Sequence, residues 1–167
     1  RVAARPCTPR RGVAPLDRIP RVTERTLRLP DVRTLGAPAF EMRIRVYYED
    51  TDVGGVVYHA NYLLYLERAR TEWLRHHGVV QSRLLAERGL QFVVVSMELK
   101  FIAPARLDDA LHATVDRCER RGASMRFSQQ LIRPADNAQL VTAHVRAALL
   151  DAKTFRPCPI PADLLPE

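Results

Sequence analysis

The chain has 167 residues with charged and apolar content close to the globular average, enough for one ordinary domain with a buried core. No apolar run reaches the roughly 20 residues of a membrane-spanning helix, which excludes that class. The formal charge of +7 is unevenly placed. Residues 1–40 hold nine arginines against three carboxylates, leaving the rest almost neutral, so the basic balance does not mark a nucleic-acid-binding domain.

Residues 1–41 mix Pro and Arg, lack aromatics before Phe40 and show no sustained period. Such a segment buries too little apolar surface to offset its ordering entropy, and a poorly ordered extension is expected. It has neither the apolar stretch of a secretory signal nor the serines of a transit peptide. The first methionine is Met42, which suggests that native synthesis starts there; mass spectrometry of the natural protein tests this. Cys7, Cys118 and Cys158 form no C-x-x-C pair and no cluster with His, which predicts reduced thiols and no metal site.

The folded domain is expected over 42–155, followed by a Pro-rich tail over 156–167. Met42, Ile44 and Val46 alternate with polar positions, the period of a half-buried strand. The loop Asp50-Thr51-Asp52-Val53-Gly54-Gly55 follows. From Asn61 to about His77 there is no Gly or Pro, predicting a long helix with Tyr62, Leu66, Ala69 and Trp73 on one stripe. Tyr65 and Leu64 widen that stripe at the first turn, so the start of the helix is expected to be largely enclosed. A shorter helix is expected at about Gln81 to Arg88, ended by Gly89. Four strands follow at 91–102, 110–118, 124–132 and 139–150, with turns at Arg120-Arg121-Gly122-Ala123 and Pro134-Ala135-Asp136-Asn137. Their short connections make them antiparallel. The expected architecture is α+β: a curved five-stranded antiparallel sheet wrapped around one long helix, with open edges that favour a homodimer or homotetramer.

The chemistry-bearing residues crowd between the first strand and the helix. Asp50 and Asp52 lie beside Gly54, Gly55, Tyr58, His59 and Asn61. A carboxylate there serves as general base or nucleophile, and a helix start offers unpaired N–H groups to a developing oxyanion. An isolated D-x-D before a helix more often just shapes a turn. The whole string YYEDTDVGGVVYHANYLLYLERARTEWLR, with FVVVSMELKFIAPARLDD downstream, closely resembles the hotdog thioesterases. Within them it is most similar to the YbgC-type acyl-CoA thioesterases associated with the Tol–Pal cluster of Gram-negative bacteria. The 4-hydroxybenzoyl-CoA thioesterases share D-x-D-x-x-G, here Asp50 to Gly55, more loosely.

The resemblance implies a cytoplasmic acyl-CoA thioesterase of the hotdog fold with no metal or redox cofactor. By position it makes Asp52 the catalytic carboxylate and the backbone N–H of His59 the oxyanion donor. Tyr58, Asn61 and Gly55 are secondary members of the site. Glu67 is a further carboxylate to weigh, because another hotdog lineage uses a helix Glu; its plainer reading is an i,i+3 pair with Arg70. The basic turn in related enzymes touches the nucleotide, which points to Arg120, Arg121 and Ser124 for the coenzyme A phosphates. Two other readings stand beside hydrolysis: a hotdog hydratase or dehydratase, and a non-catalytic partner of acyl carrier protein or of lipid synthesis at the inner membrane.

Overall fold

The computed structural model describes residues 39–165, so the extension expected at 1–41, up to residue 38, and Cys7 lie outside the described residues. Strand β1 (Phe40–Arg45) sends Phe40, Met42 and Ile44 inward and leaves Glu41, Arg43 and Arg45 exposed, as period-two alternation requires. A 3₁₀ turn, Tyr48–Asp50, opens the loop to α1 (His59–His76). Gly78, at φ +81°, ends that helix, and α2 (Gln81–Arg88) stops at the left-handed Gly89. The strands are β2 (Leu90–Phe101), β3 (Ala110–Val115), β4 (Arg117–Arg121), β5 (Ser124–Arg133) and β6 (Ala138–Asp151).

All pairings are antiparallel, in the order β1-β3-β5-β6-β2, with β4 continuing the line of β3 along β5. The strand expected over 110–118 is thus two strands. Asp116 breaks it: its N–H still bonds the Ser128 carbonyl at 2.9 Å, while its carboxylate turns to Gln130 Nε2 at 2.9 Å. The expected turn also shrinks to Gly122-Ala123, because Arg120 and Arg121 both pair with β5, opposite Met125 and Ser124. Gly122, at φ +59°, supplies the reversal.

Helix α1 packs mainly on β3, β1 and β5. Tyr62, Tyr65, Leu66, Ala69, Trp73 and Leu74 are buried against Leu111, Val115, Phe127 and Leu131. Leu64 is a correction: it is 51% exposed, so the first turn is open on one side. The C-terminal segment is another. Beyond Asp151 the chain turns back, Cys158 N–H bonds the Leu149 carbonyl at 2.9 Å and Ile160 N–H the Gly122 carbonyl at 3.0 Å. Ile160 and Leu165 are buried in the core, so the Pro-rich segment closes the domain. Its prolines suit a stretch that needs few backbone donors.

At the far edge, β2 carries a bulge between Val94 and Ser96. Its other side has no strand partner among the described residues, and Val93, Val94 and Val95 are exposed there.

Candidate active site

The loop between β1 and α1 is held from several sides. Val57 is buried, donates its N–H to the Ala105 carbonyl at 2.9 Å, and forms an isolated bridge with Thr51. Within those clamps Asp52 begins a tight turn. Its carbonyl accepts the Gly55 N–H at 3.0 Å and its own N–H reaches the Val56 carbonyl at 3.0 Å. Gly55 sits at φ +69°, a conformation open to glycine at little cost.

The Asp52 side chain is exposed, and its Oδ1 accepts the Gly54 N–H at 2.8 Å. That bond fixes the carboxylate's direction, and Oδ2 has no hydrogen-bond partner among the described residues. Asp52 therefore shapes its own loop and still presents an acceptor oxygen to solvent.

Asp50 organises the other half of the loop, a role the sequence reading left to turn formation. Its carboxylate accepts the Tyr47 N–H at 2.8 Å. Its carbonyl accepts both the Tyr58 N–H and the Asn61 Nδ2 at 2.9 Å. Asn61 is the third helical residue, and it ties the helix start to the 3₁₀ turn. Tyr65 is buried below, its hydroxyl close to Asp50 without a completed hydrogen bond. Burial and that carboxylate push the phenol above its ordinary pKa.

Tyr58 is the N-cap and makes no side-chain cap. Its ring lies against that of His59, centroids 4.4 Å apart, so the His59 imidazole is engaged locally. The N–H groups of His59 and Ala60 are the first two of the helix. They have no acceptor within it and carry its positive dipole end. An exposed carboxylate in the loop leading to a helix start can deliver a nucleophile to a carbonyl, and helix N-terminal amides can stabilise the charge that develops on its oxygen. Among the described residues, no three His, Cys, Asp or Glu side chains converge as metal ligands would.

The thioesterase-like superfamily model matches residues 46–167, which include this loop and the whole helix–sheet core. The chain belongs to that superfamily. It is 45% identical over 128 residues to the acyl-CoA thioester hydrolase YbgC of Escherichia coli O6:H1, covering 77% of this chain and 94% of that protein. It is 42% identical over 125 residues to the acyl-CoA thioesterase YbgC of Haemophilus influenzae, covering 75% and 90%. Among solved structures, the probable thioesterase from Bartonella henselae superposes with a TM-score of 0.68 at 39% identity, covering 74% of this chain and all of that one. The hotdog fold expected from the sequence is therefore the fold of this thioesterase.

The remaining predicted residues of the thioesterase stand on α1 and on the β4–β5 hairpin. Glu67 is about two turns along α1, with both oxygens engaged: Arg70 Nη2 at 3.3 Å and Thr71 Oγ1 at 2.9 Å. The expected i,i+3 pair is present, and it leaves Glu67 a poor candidate for the attacking group. Arg120 and Arg121 point to opposite faces of β4, as alternation dictates. Arg120 faces inward, its Nη1 donating to the Leu165 carbonyl at 3.1 Å beside Trp73 and His77 near the C-terminal end of α1. Arg121 is exposed on the outer face opposite Ser124. The two arginines thus cannot clasp one phosphate, and in a single chain Arg120 lies at the other end of α1 from His59.

Sequence reasoning missed Gln129. It is 2% exposed and donates to the carbonyls of Leu66 at 3.1 Å and Thr114 at 3.3 Å while accepting from Arg70 Nη1 at 2.8 Å. The available signal was a polar residue at an inward position of β5, between Phe127 and Leu131.

Proposed function

We propose that this acyl-CoA thioester hydrolase uses Asp52 as its catalytic carboxylate and the backbone N–H of His59 as oxyanion donor. The observation that carries the reading is the Gly54 N–H bond to Asp52 Oδ1, which aims the carboxylate and leaves Oδ2 available. Asp52 takes a proton from water as water's oxygen adds to the thioester carbonyl, or adds to the carbonyl itself. In the first route the tetrahedral oxyanion rests on helix N–H groups, then collapses with loss of the CoA thiolate, which recovers the proton. In the second, CoA thiolate leaves as the Asp52–acyl anhydride forms, and water then cleaves that anhydride to the two carboxylates, one of the protons released returning to the thiolate. Tyr58, Gly55 and Asn61 order the loop, and no metal or redox group enters either route.

Arg121 with Ser124 on the outer face, and Arg120 on the inner one, remain our proposed contacts for the coenzyme A phosphates, reached across a subunit boundary. The open edge of β2, with Val93 to Val95 exposed, supports a dimer in which two β2 strands pair. We place the reaction in the cytoplasm; among the described residues no helix is long and apolar enough to cross a membrane.

Asp52→Asn should lower kcat on acyl-CoA by roughly 10²–10⁴-fold with the fold retained by circular dichroism. Near-normal turnover by that variant would remove Asp52 from the reaction. Tight acyl-CoA binding by the natural chain without any turnover would instead favour the scaffold role.

A further inference from the structure

Near its start α1 buries Tyr62 and Tyr65, and their hydroxyls stand in different states. Tyr62 is 4% exposed and its oxygen accepts the Ala105 N–H at 2.9 Å. Tyr65 is 1% exposed and lies edge-on to Tyr62, ring centroids 6.3 Å apart. Its hydroxyl has no hydrogen-bond partner among the described residues. A buried, unpaired hydroxyl is costly, and native interiors hold few of them.

An acceptor stands beside it. Asn61 and Tyr65 are four residues apart, so they stack on one side of α1, and Asn61 Nδ2 donates to the Asp50 carbonyl at 2.9 Å. Tyr65 thus lies one turn below the contact that joins the helix to Asp50, and the Asp50 carboxylate comes close to its hydroxyl. Oδ2 of that carboxylate accepts the Tyr47 N–H at 2.8 Å, while Oδ1 accepts no hydrogen bond among the described residues. Burial and the carboxylate hold the phenol above its ordinary pKa, so it keeps its proton and can donate it.

The two partners differ in freedom. Tyr65 and Leu66 sit inside the core, whereas none of Tyr48, Glu49 and Asp50 is buried and Asp52 to Gly55 are exposed. An exposed turn held by a few backbone bonds is the part that can shift. A shift of Asp50 reaches the chemistry directly. Its carbonyl holds the Tyr58 N–H at 2.9 Å, next to the His59 amide, and Asp52 follows it by two residues.

We propose, on the reading that Asp52 and the His59 amide act in hydrolysis, that Tyr65 is a positioning residue. Its hydroxyl donates to Asp50 Oδ1 once an acyl-CoA thioester occupies the site, drawing the turn inward and fixing the Asp52 loop against the helix start. The step is a hydrogen bond only, and Tyr65 keeps its proton throughout. A bond absent from the free protein and present in the complex acts only in the occupied states, where catalysis can use it.

The test compares the full natural chain with Tyr65→Phe, which deletes only the hydroxyl. In the free protein that removes an unpaired group, so Tm should hold or rise. Tyr62→Phe is the contrast: it strips the Ala105 N–H of its buried acceptor, so Tm should fall by several degrees. Hydrolysis is measured on butanoyl-, octanoyl- and hexadecanoyl-CoA and read on whichever is turned over fastest. There Tyr65→Phe should lower kcat roughly tenfold, because a misplaced carboxylate slows the chemical step. KM should stay within about twofold, since the energy of the bond offsets the ordering of the turn. Hydrogen exchange is followed on both proteins, with and without saturating 2-oxononyl-CoA, a ketone thioether that cannot be hydrolysed. The Thr51 and Tyr58 amides, which close the turn, should gain protection in the natural chain and not in Tyr65→Phe. This exchange result does not depend on which carboxylate reacts: full turnover by Asp52→Asn would remove Asp52 from the reaction and leave it standing. Unchanged kcat in Tyr65→Phe overturns the proposal. So does a fall in Tm matching that of Tyr62→Phe, which would make Tyr65 a structural residue, and so does equal protection in the two proteins.

Discussion

Gly54 offers a way to move Asp52, the carboxylate we propose as catalytic, without changing it. A Cβ built on Gly54 lies 3.0 Å from Asp52 Oδ1, the oxygen that accepts the Gly54 N–H at 2.8 Å. Gly54→Ala therefore forces the carboxylate to give way by a few tenths of an ångström. Gly54 is not among the positive-φ residues, so alanine brings no backbone strain of that kind. A displacement of 1 Å can cost about 10²-fold in rate, so a few tenths should cost roughly tenfold in kcat. That is about 1.4 kcal/mol of barrier. Stability should hardly move, because the weakened bond is exposed and the Gly→Ala gain in unfolded-state entropy is roughly 0.4–1 kcal/mol in the other direction. Steady-state thioester hydrolysis and thermal melts on the same preparations read both quantities. Gly55→Ala is the contrasting variant: at φ +69°, with no atom within 4 Å of the new Cβ, its cost is conformational. Left-handed backbone costs a non-glycine residue about 1–2 kcal/mol, so that variant should lose several degrees of Tm. A Gly54→Ala protein with unchanged kcat would refute the idea that the Gly54 amide aims Asp52.

Two further outcomes follow from burial and from the open edge. Burial raises the Asp116 carboxyl above its usual range, more than the Gln130 and Thr114 hydrogen bonds lower it. Below the unfolded value of 3.8 the acid is neutral in both states and costs nothing. As pH rises the unfolded chain ionises first, so stability falls until the native pKa is passed and is flat thereafter. Asp116→Asn should therefore melt higher at pH 7, by about 1–3 °C, with the advantage closing toward pH 3; equal gains at both pH values would contradict the burial argument. A charge on the β2 edge opposes strand pairing. Val95→Lys should convert a dimer of 19.0 kDa chains to monomer by light scattering, and an unchanged mass would exclude β2 as the interface.

What the sequence disclosed was mostly local. The alternation of β1, the buried stripe of α1 and the Gly89 stop of α2 depend on neighbours within a few residues, and they stand where expected. The helix α1 starts two residues before the expected Asn61, whose side chain bonds back to the Asp50 carbonyl. The break at Asp116 shows in the sequence only as a one-residue slip of phase, the inward positions running Leu111, Ala113 and Val115 and then Cys118 and Arg120. The pairing of β2 with β6 and the return of Ile160 to Gly122 join residues about 40 to 60 apart in the chain, which no short window contains. In the site, the D-x-D string singles out Asp52 as the candidate carboxylate. The bond from Gly54, the hub at Asp50 and the Arg70–Gln129 contact needed coordinates, since each depends on where a side chain points.

The long-range pairing of β2 has a consequence during synthesis. Phe101 waits for Val141 and Leu90 for Asp151, so the strand leaves the ribosome forty to sixty residues ahead of its mate. At about 5–20 residues per second that interval is roughly 2–12 s. Throughout it, Phe92 to Val95 are an apolar ribbon with both sides vacant, while β1, α1 and β3 can already settle together. A slow stretch of translation between β3 and β6 would lengthen this exposure, and the yield of native protein should fall with it.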